Sequence, residues 1–429
     1  MRARRLAPVL AAASLLPAVS LLAAGCGGTS RKSTTTNART TNARTRTAET
    51  LAQRIRSERR LPVRPPAPGC STAVAAAPAL PVRTALEQVA GAPFGVAVTP
   101  DGRWSFVDLA GGRVGVFSDA RFAPRLVRTI KVSDEDAVGN SITHDGRDLL
   151  VTDGNRGATV VSVSRAETGA ANAVLGTLTP PAGANVGQGS IEVASSPDGH
   201  YAFVSIEYGG GVTVYNLGAA LADHFHKSGY VGLIRLGQAV VGSAVSPDGR
   251  WLYATSEAAA AAGSGGEGTL SVISISTAAR DPARSVVATI PAHCAPVRVA
   301  VSADGSVVWV TARESDQLLA FSATKLLRDP SHSLLAAARV GEAPVGLAIV
   351  DGGRDIVVAD SNRFEAPGAT TSLMVINTSN ALARRPAVVG TIATGAFPRE
   401  MALEPNHGTL LVGDFGSSQF EAVSVAGLP

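Results

Sequence analysis

The sequence predicts an all-β fold: a seven-bladed β-propeller with four antiparallel strands per blade. Two observations carry this expectation. One phrase recurs seven times, consisting of a short apolar run, a tight turn and a second apolar run. Copies read GVAVTPDGRWSFV from Gly95, EVASSPDGHYAFV from Glu192, GSAVSPDGRWLYAT from Gly242 and RVAVSADGSVVWVT from Arg298. Their turns fall at Asp101, Asp145, Asp198, Asp248, Asp304, Gly352 and Asn406, spaced 44, 53, 50, 56, 48 and 54 residues apart. A period of about 40–50 residues holding several strands belongs to a propeller blade. No long segment of helical period interrupts the pattern.

The chain opens with an export-like segment. Arg2, Arg4 and Arg5 precede an apolar run from Leu6 to Ala24, and Pro8, Pro17 and the small residues at its end argue for cleavage rather than a span. Leu22-Ala23-Ala24-Gly25-Cys26 resembles a bacterial lipobox, with Ala23 where Leu is usual. Residues 1–25 are therefore expected to be a lipoprotein signal peptide. Cys26 is the expected lipidation site, and the chain is expected to be anchored at the cell membrane on its extracytoplasmic side. A diacylglyceryl group brings two acyl chains, enough for stable anchoring.

Residues 26–69 read as a linker. TTNARTTNART is polar and repetitive and cannot bury a core, and Pro62, Pro65, Pro66 and Pro68 stiffen the approach to the domain. The charge is divided sharply along the chain. Up to Arg64 there are 13 Lys/Arg against 2 Asp/Glu, and from Pro65 onward 25 against 32. The net +4 thus hides a basic tail (13 − 2 = +11) on an acidic domain (25 − 32 = −7). The tail is either a solvated spacer or a strip lying along anionic headgroups beside its own anchor. An acidic folded domain excludes a nucleic-acid role.

The propeller is expected over residues 70–429. Blade four shows the pattern. Gly242–Ser246 is the innermost strand, Pro247-Asp248-Gly249 the turn, Trp251–Thr255 the second strand, TLSVISIS from Thr269 the third and SVVATI from Ser285 the fourth. Asp-Gly tolerates the positive φ a tight hairpin needs. Blade seven has three strands before the chain ends at Pro429. VRTALEQVAG from Val82 resembles the fourth-strand segment VVGTIATG, so the N-terminal strand is expected to complete blade seven and close the ring. The fold is then expected to begin near Val82. An unfilled edge there would be a liability.

Besides Cys26 the chain has Cys70 and Cys294. In an exported protein such a pair is a disulfide candidate, although the connection has to cross the ring. Closing a loop of about 224 residues is worth on the order of 5 kcal/mol in the entropic treatment.

VVATIPAHCAPVRVAVSADGSVVWVTARESDQLLAF (Val286–Phe321) and GAPFGVAVTPDGRWSFV (Gly91–Val107) resemble the YVTN-type, lactonase-like β-propeller repeat family. The resemblance covers about residues 82–426. It implies the fold and leaves activity open, since propellers of this kind include lactonases, haem d1-bearing reductase domains, surface-layer proteins and dehydrogenase scaffolds.

Catalytic signatures are missing from the sequence. There is no CxxCH, GxSxG, HExxH or Walker loop, so no cofactor and no metal are expected. The turn Asp residues are expected to cap their own hairpins. His224 and His226 form the one tempting metal pair, but they fall in a loop between strands three and four.

Two sets of residues point instead to the axial face. The first follows the second strands: Asp108, Asp153, Glu207, Glu257, Glu314, Asp360 and Asp414, one acid per blade. The second occupies the slot that opens the first strand. Gly95, Gly139, Gly242 and Gly346 fill it in four blades; Glu192, Arg298 and Glu400 fill it in the others, with Arg399 adjacent. Glycine there lets backbones crowd the axis. A charged side chain there needs water, a partner or a ligand. Arg298 and Arg399 either pair with Glu192, Glu400 and the acids, or the charges hold a small polar ligand, a cation or a polyol.

Two readings of function follow. The leading one is a monomeric binding or scaffold protein of the cell envelope, with an envelope protein or a small polar ligand at the axial face. The alternative is a lactonase-like hydrolase using an axial carboxylate and an arginine. An electron-transfer role would need an axial His, and none is placed there.

Overall fold

The computed structural model describes residues 70, 74–118, 122–258, 267–366 and 368–429. Seven four-stranded antiparallel sheets surround an axis. Their innermost strands are Pro93–Val98, Asn140–Ile142, Ser190–Ser195, Gln238–Val245, Pro296–Val301, Pro344–Val350 and Pro398–Leu403. Each packs on the next, and the last packs on the first. The expected signal segment, Cys26 and the expected linker lie outside the described residues.

The repeated phrase forms the hairpin between first and second strands, so all seven turns close the same end of their blades. Its local chemistry is uniform. Asp101 Oδ1 accepts from the Thr99 hydroxyl at 2.6 Å and the Arg103 N–H at 3.1 Å. Asp145, Asp198, Asp248 and Asp304 repeat both bonds. The glycines that follow take φ near 70°, the left-handed region open to Gly without a steric penalty.

The core lies between blades. Tyr253, Leu270 and Val272 of blade four, for example, pack on Val308, Val310 and Phe321 of blade five. A Val, Leu or Phe fully buried in this way contributes about 1.5–3 kcal/mol. Threonines latch the blades together near the axis. Thr152, Thr255 and Thr311 donate to the carbonyls of Ile191, Val297 and Val345 in the following blade at 3.0, 2.9 and 2.7 Å.

Five short helices follow the third strands. Four begin at a side-chain cap from Asn216, Ser274, Ser322 or Asn377. His224 and His226 lie just past one of them and are exposed.

Thr84–Gln88 pairs with Gln419–Ser424 as the outer strand of blade seven. The packed structure begins earlier than Val82, because the preceding segment is bonded to three blades in turn. Cys70 and Cys294 form a disulfide at the end of the outer strand of blade four, with Cα atoms 5.9 Å apart. The Ala75 N–H then reaches Val340 O beyond blade five, and in blade six Thr391 O accepts from the Leu80 N–H while the Thr391 N–H donates to Pro78 O. Ala75 and Ala77 pack on the core between blades five and six, and Leu80 and Val82 on the next one. The segment thus reaches Cys294 by following the rim, which resolves the difficulty of crossing the ring. Small and alternating apolar residues in VAAAPALPV, from Val74, make this possible without a regular strand.

Candidate functional site

Two residue layers line the axis at the end where second strands finish. The outer layer holds Phe94, Val138, Ile191, Val241, Val297, Val345 and Arg399, one per blade; the first six cluster with Phe397 and Phe415. Blade seven thus places an arginine where six blades place an apolar side chain. The inner layer is the slot of glycines and charges. A Cβ on Gly139, Gly242 or Gly346 would stand 2.1, 2.1 or 2.2 Å from a carbonyl of the next blade, so these positions require glycine. The blades they crowd against, three, five and seven, carry Glu192, Arg298 and Glu400.

Those three charges meet. Arg298 is 5% exposed. Its Nε lies 2.5 Å from Glu400 Oε1, its Nη2 lies 3.2 Å from Glu192 Oε1, and its Nη1 donates to Val241 O at 3.0 Å. Burial pushes Glu192 up to about 8, opposed by Arg298 and assisted by Glu400.

Beside this triad opens a small pocket with about 30 Å³ of water-accessible space. Ile191, Val241, Val297 and Val345 form its apolar wall, and Arg298 and Arg399 reach its floor. Glu207, Tyr208, Glu257, Arg313 and Arg363 form the rim. Arg313 pairs with Glu257 at 2.9 Å. Burial, then the nearby Glu257, pushes Glu207 up to about 7. Burial alone brings Arg363 down to about 10.

Arg399 is placed differently. It is 7% exposed, and among the described residues it makes no ion pair within 4 Å. Its Cζ lies 3.6 Å from the Phe94 ring centroid, with Phe397 at 5.7 Å and Phe415 at 6.0 Å. The rings occupy the guanidinium face; Nε and Nη1, whose donors lie in its plane, are buried without a hydrogen-bond partner. Cation–π contact returns about 2 kcal/mol when desolvated, whereas burying the ion costs several. Burial, followed by repulsion from Arg298 and Arg363, pushes this guanidinium well below its usual range.

Of the acids that follow the second strands, Glu207 and Glu257 reach the pocket. Asp153 instead accepts from the N–H groups of Asn155, Arg156 and Gly157 and from Ser190 Oγ, which makes it a turn cap. Asp360 accepts from the Gly341 N–H and Ser372 Oγ. Asp108 meets Asn140 Nδ2 at 2.9 Å. Arg313, Arg363 and Tyr208 were not anticipated. The available signal was adjacency, since Arg313 and Tyr208 neighbour the acids Glu314 and Glu207.

Asp414 forms a separate group in blade seven. The Thr394 hydroxyl contacts both Asp414 Oδ1, at 2.9 Å, and Glu421 Oε1. One hydroxyl proton cannot serve two carboxylates, so one of the acids is protonated and donates to Thr394. Burial pushes Asp414 up to about 7 and Glu421 up to about 8, and Asp414 adds to the rise at Glu421. Folded-state values above the unfolded ones give stability that is full below the unfolded carboxyl range and lost as pH rises through about 8. Glu421→Gln removes one of the two titrations and is expected to flatten the loss between pH 5 and 8.5 by up to about 1.4 kcal/mol per pH unit. Urea unfolding across that range checks this, and equal slopes for both proteins would refute it.

The fold and the axial pocket define a seven-bladed β-propeller with a polar-rimmed axial site. Comparison with solved structures agrees on the fold. A chain of Kuenenia stuttgartiensis hydrazine synthase aligns over 78% of this chain and 96% of its own, with TM-score 0.60 and 16% identity. The Cps50 (Swd1) β-propeller domain of Myceliophteria thermophila aligns over 80% and 100%, with TM-score 0.60 and 10% identity. At these identities the likeness concerns the fold alone. No family model matches the chain, and no curated protein matches it.

Proposed function

We propose that the protein is a lipid-anchored, extracytoplasmic binding protein of the cell envelope whose propeller takes a small polar ligand in the axial pocket. The observation that carries the binding role is the incomplete pairing on the pocket wall. Arg298 and Arg313 have carboxylate partners and one unbonded nitrogen each, whereas Arg399 is buried beside them with no carboxylate partner and two nitrogens unbonded. A purely structural axis would be filled by the apolar side chains the other six blades supply. Thermal-shift measurements on the purified protein with sugars, lactones, monocarboxylates and divalent ions test the role. At least one class is expected to raise the melting temperature, and a flat response to all four would refute it.

The anchor is tested separately. Cys26→Ser is expected to leave an uncleaved precursor, and normal processing with membrane retention of that variant would exclude lipidation.

One observation favours a hydrolase as a second reading. Glu207 is a pocket carboxylate raised to about 7, near the ideal for a general base at neutral pH. Turnover of a lactone by the wild type and not by Glu207→Gln would select it.

A further inference from the structure

We infer that the axial pocket selects a small organic monocarboxylate, its carboxylate on Arg399 and its aliphatic body against Ile191, Val241, Val297 and Val345. This rests on the binding role proposed above and names the ligand class. Charge on the wall excludes a cation. Arg298, Arg313, Arg363 and Arg399 outnumber Glu207 and Glu257 in the lining, and Glu192 and Glu400 are engaged by Arg298 beneath.

The arginines are not equivalent. Arg298 is held by two glutamates and Arg313 by one. Arg399 has its face on Phe94 and two nitrogens free of partners, so it is the guanidinium able to accept a new anion. Its Nε and Nη1, on different edges of the planar guanidinium, can each give an anion one charge-assisted N–H. Aromatic packing at 3.6 Å fixes its plane in advance, which lowers the ordering cost on binding.

Where Ile191, Val241, Val297 and Val345 line the pocket, they favour an apolar group. Four branched aliphatic side chains offer no hydrogen bond to a sugar hydroxyl, and burying an unpaired hydroxyl is unfavourable. They offer dispersion contacts to a short alkyl chain. The half-exposed Tyr208 at the mouth extends that surface.

Calorimetric titration of the purified protein at pH 7 with hexanoate, hexanol, glucose and inorganic phosphate tests the inference. Hexanoate is expected to bind, and hexanol about tenfold or more weakly, because it lacks the charge-assisted pair. Glucose and phosphate are expected not to bind. Arg399→Met restores the apolar layer, so it is expected to melt no lower than the wild type while losing hexanoate about tenfold or more. If that variant does not fold, Arg399→Lys keeps charge and reach without the planar fork and is expected to weaken hexanoate by about tenfold. Equal binding of hexanoate and hexanol, or undiminished hexanoate binding by the folded variant, would overturn the carboxylate assignment. Binding of glucose without hexanoate overturns it too, yet leaves the binding role standing. Silence from these probes overturns the assignment, and the broader thermal-shift panel then decides the role itself.

Discussion

A chain that begins at Ala92 is expected to lose cooperative unfolding and to precipitate, whereas one that begins at Gly69 melts within a few degrees of the full chain. The difference lies in what Thr84–Gln88 covers. Its partner strand, Gln419–Ser424, carries Phe420, Ala422 and Val423, all at most 1% exposed. Beside them Val89 packs into a cluster with Phe117, Leu411 and Phe420, and the tilted rings of Phe117 and Phe420 meet with centroids 4.7 Å apart across the junction of blades one and seven. Removing the outer strand strips the ladder bonds from that edge and wets its apolar face at the point where the two ends of the ring meet. The shortened chain also loses the disulfide, on the order of 5 kcal/mol in the entropic treatment. A chain beginning at Val82 separates the contributions, because it keeps the strand and loses the disulfide and the rim segment. It is expected to fold with an intermediate melting temperature. Scanning calorimetry of the three chains decides the matter. If the Ala92 chain melts as cooperatively and as high as the Gly69 chain, blade seven does not depend on its N-terminal strand.

How far the sequence revealed this molecule depends on the range of the interactions involved. The hairpins were legible because their determinants lie within five residues: a hydroxyl at Thr99 or Ser246, a carboxylate two places on, and a glycine next. Repetition then multiplied a weak local signal sevenfold. The axial slot was legible for the same reason, since a glycine replaced by Glu192, Arg298 or Glu400 stands out only when repeats are aligned. The short helices were missed because one turn carries no period, only a cap such as Asn216 or Ser322. The rim segment 74–82 was missed because its bonds to Val340 and Thr391 span hundreds of residues and use backbone atoms, which leave no residue-type signature. The acids that follow the second strands looked alike in sequence, yet Asp153 caps a turn while Glu207 faces the pocket. Which way such a side chain turns is set by the length of the following loop and the neighbouring blade. Arg399 was flagged only as adjacent to the slot. Its distinction appears when the layer it belongs to is seen to be apolar in six blades.

Arg298→Ala is expected to destabilise the protein by about 3–5 kcal/mol, the usual cost of leaving buried carboxylates without their counter-ion. Arg298 joins Glu192 of blade three, Glu400 of blade seven and the Val241 carbonyl of blade four, so its loss releases contacts across the axis. The effect has a pH signature with a determined sign. Glu192 already titrates at about 8 in the folded protein, above its unfolded value, so its contribution is full in acid and falls as pH rises through that window. Arg298 is the attraction that holds the value down, and without it the folded-state value climbs further. The gap between wild type and variant should therefore widen from pH 5 to pH 9, opening mainly as pH passes about 8. Substituting the whole triad, with Arg298→Met, Glu192→Gln and Glu400→Gln together, should recover most of the loss, because no charge of the triad is then left buried without a partner. Urea unfolding at the two pH values measures all three proteins. A loss under about 1 kcal/mol that does not change with pH, in the range of an exposed ion pair, would show that Glu192 and Glu400 reach solvent and that the triad does not hold the axis together.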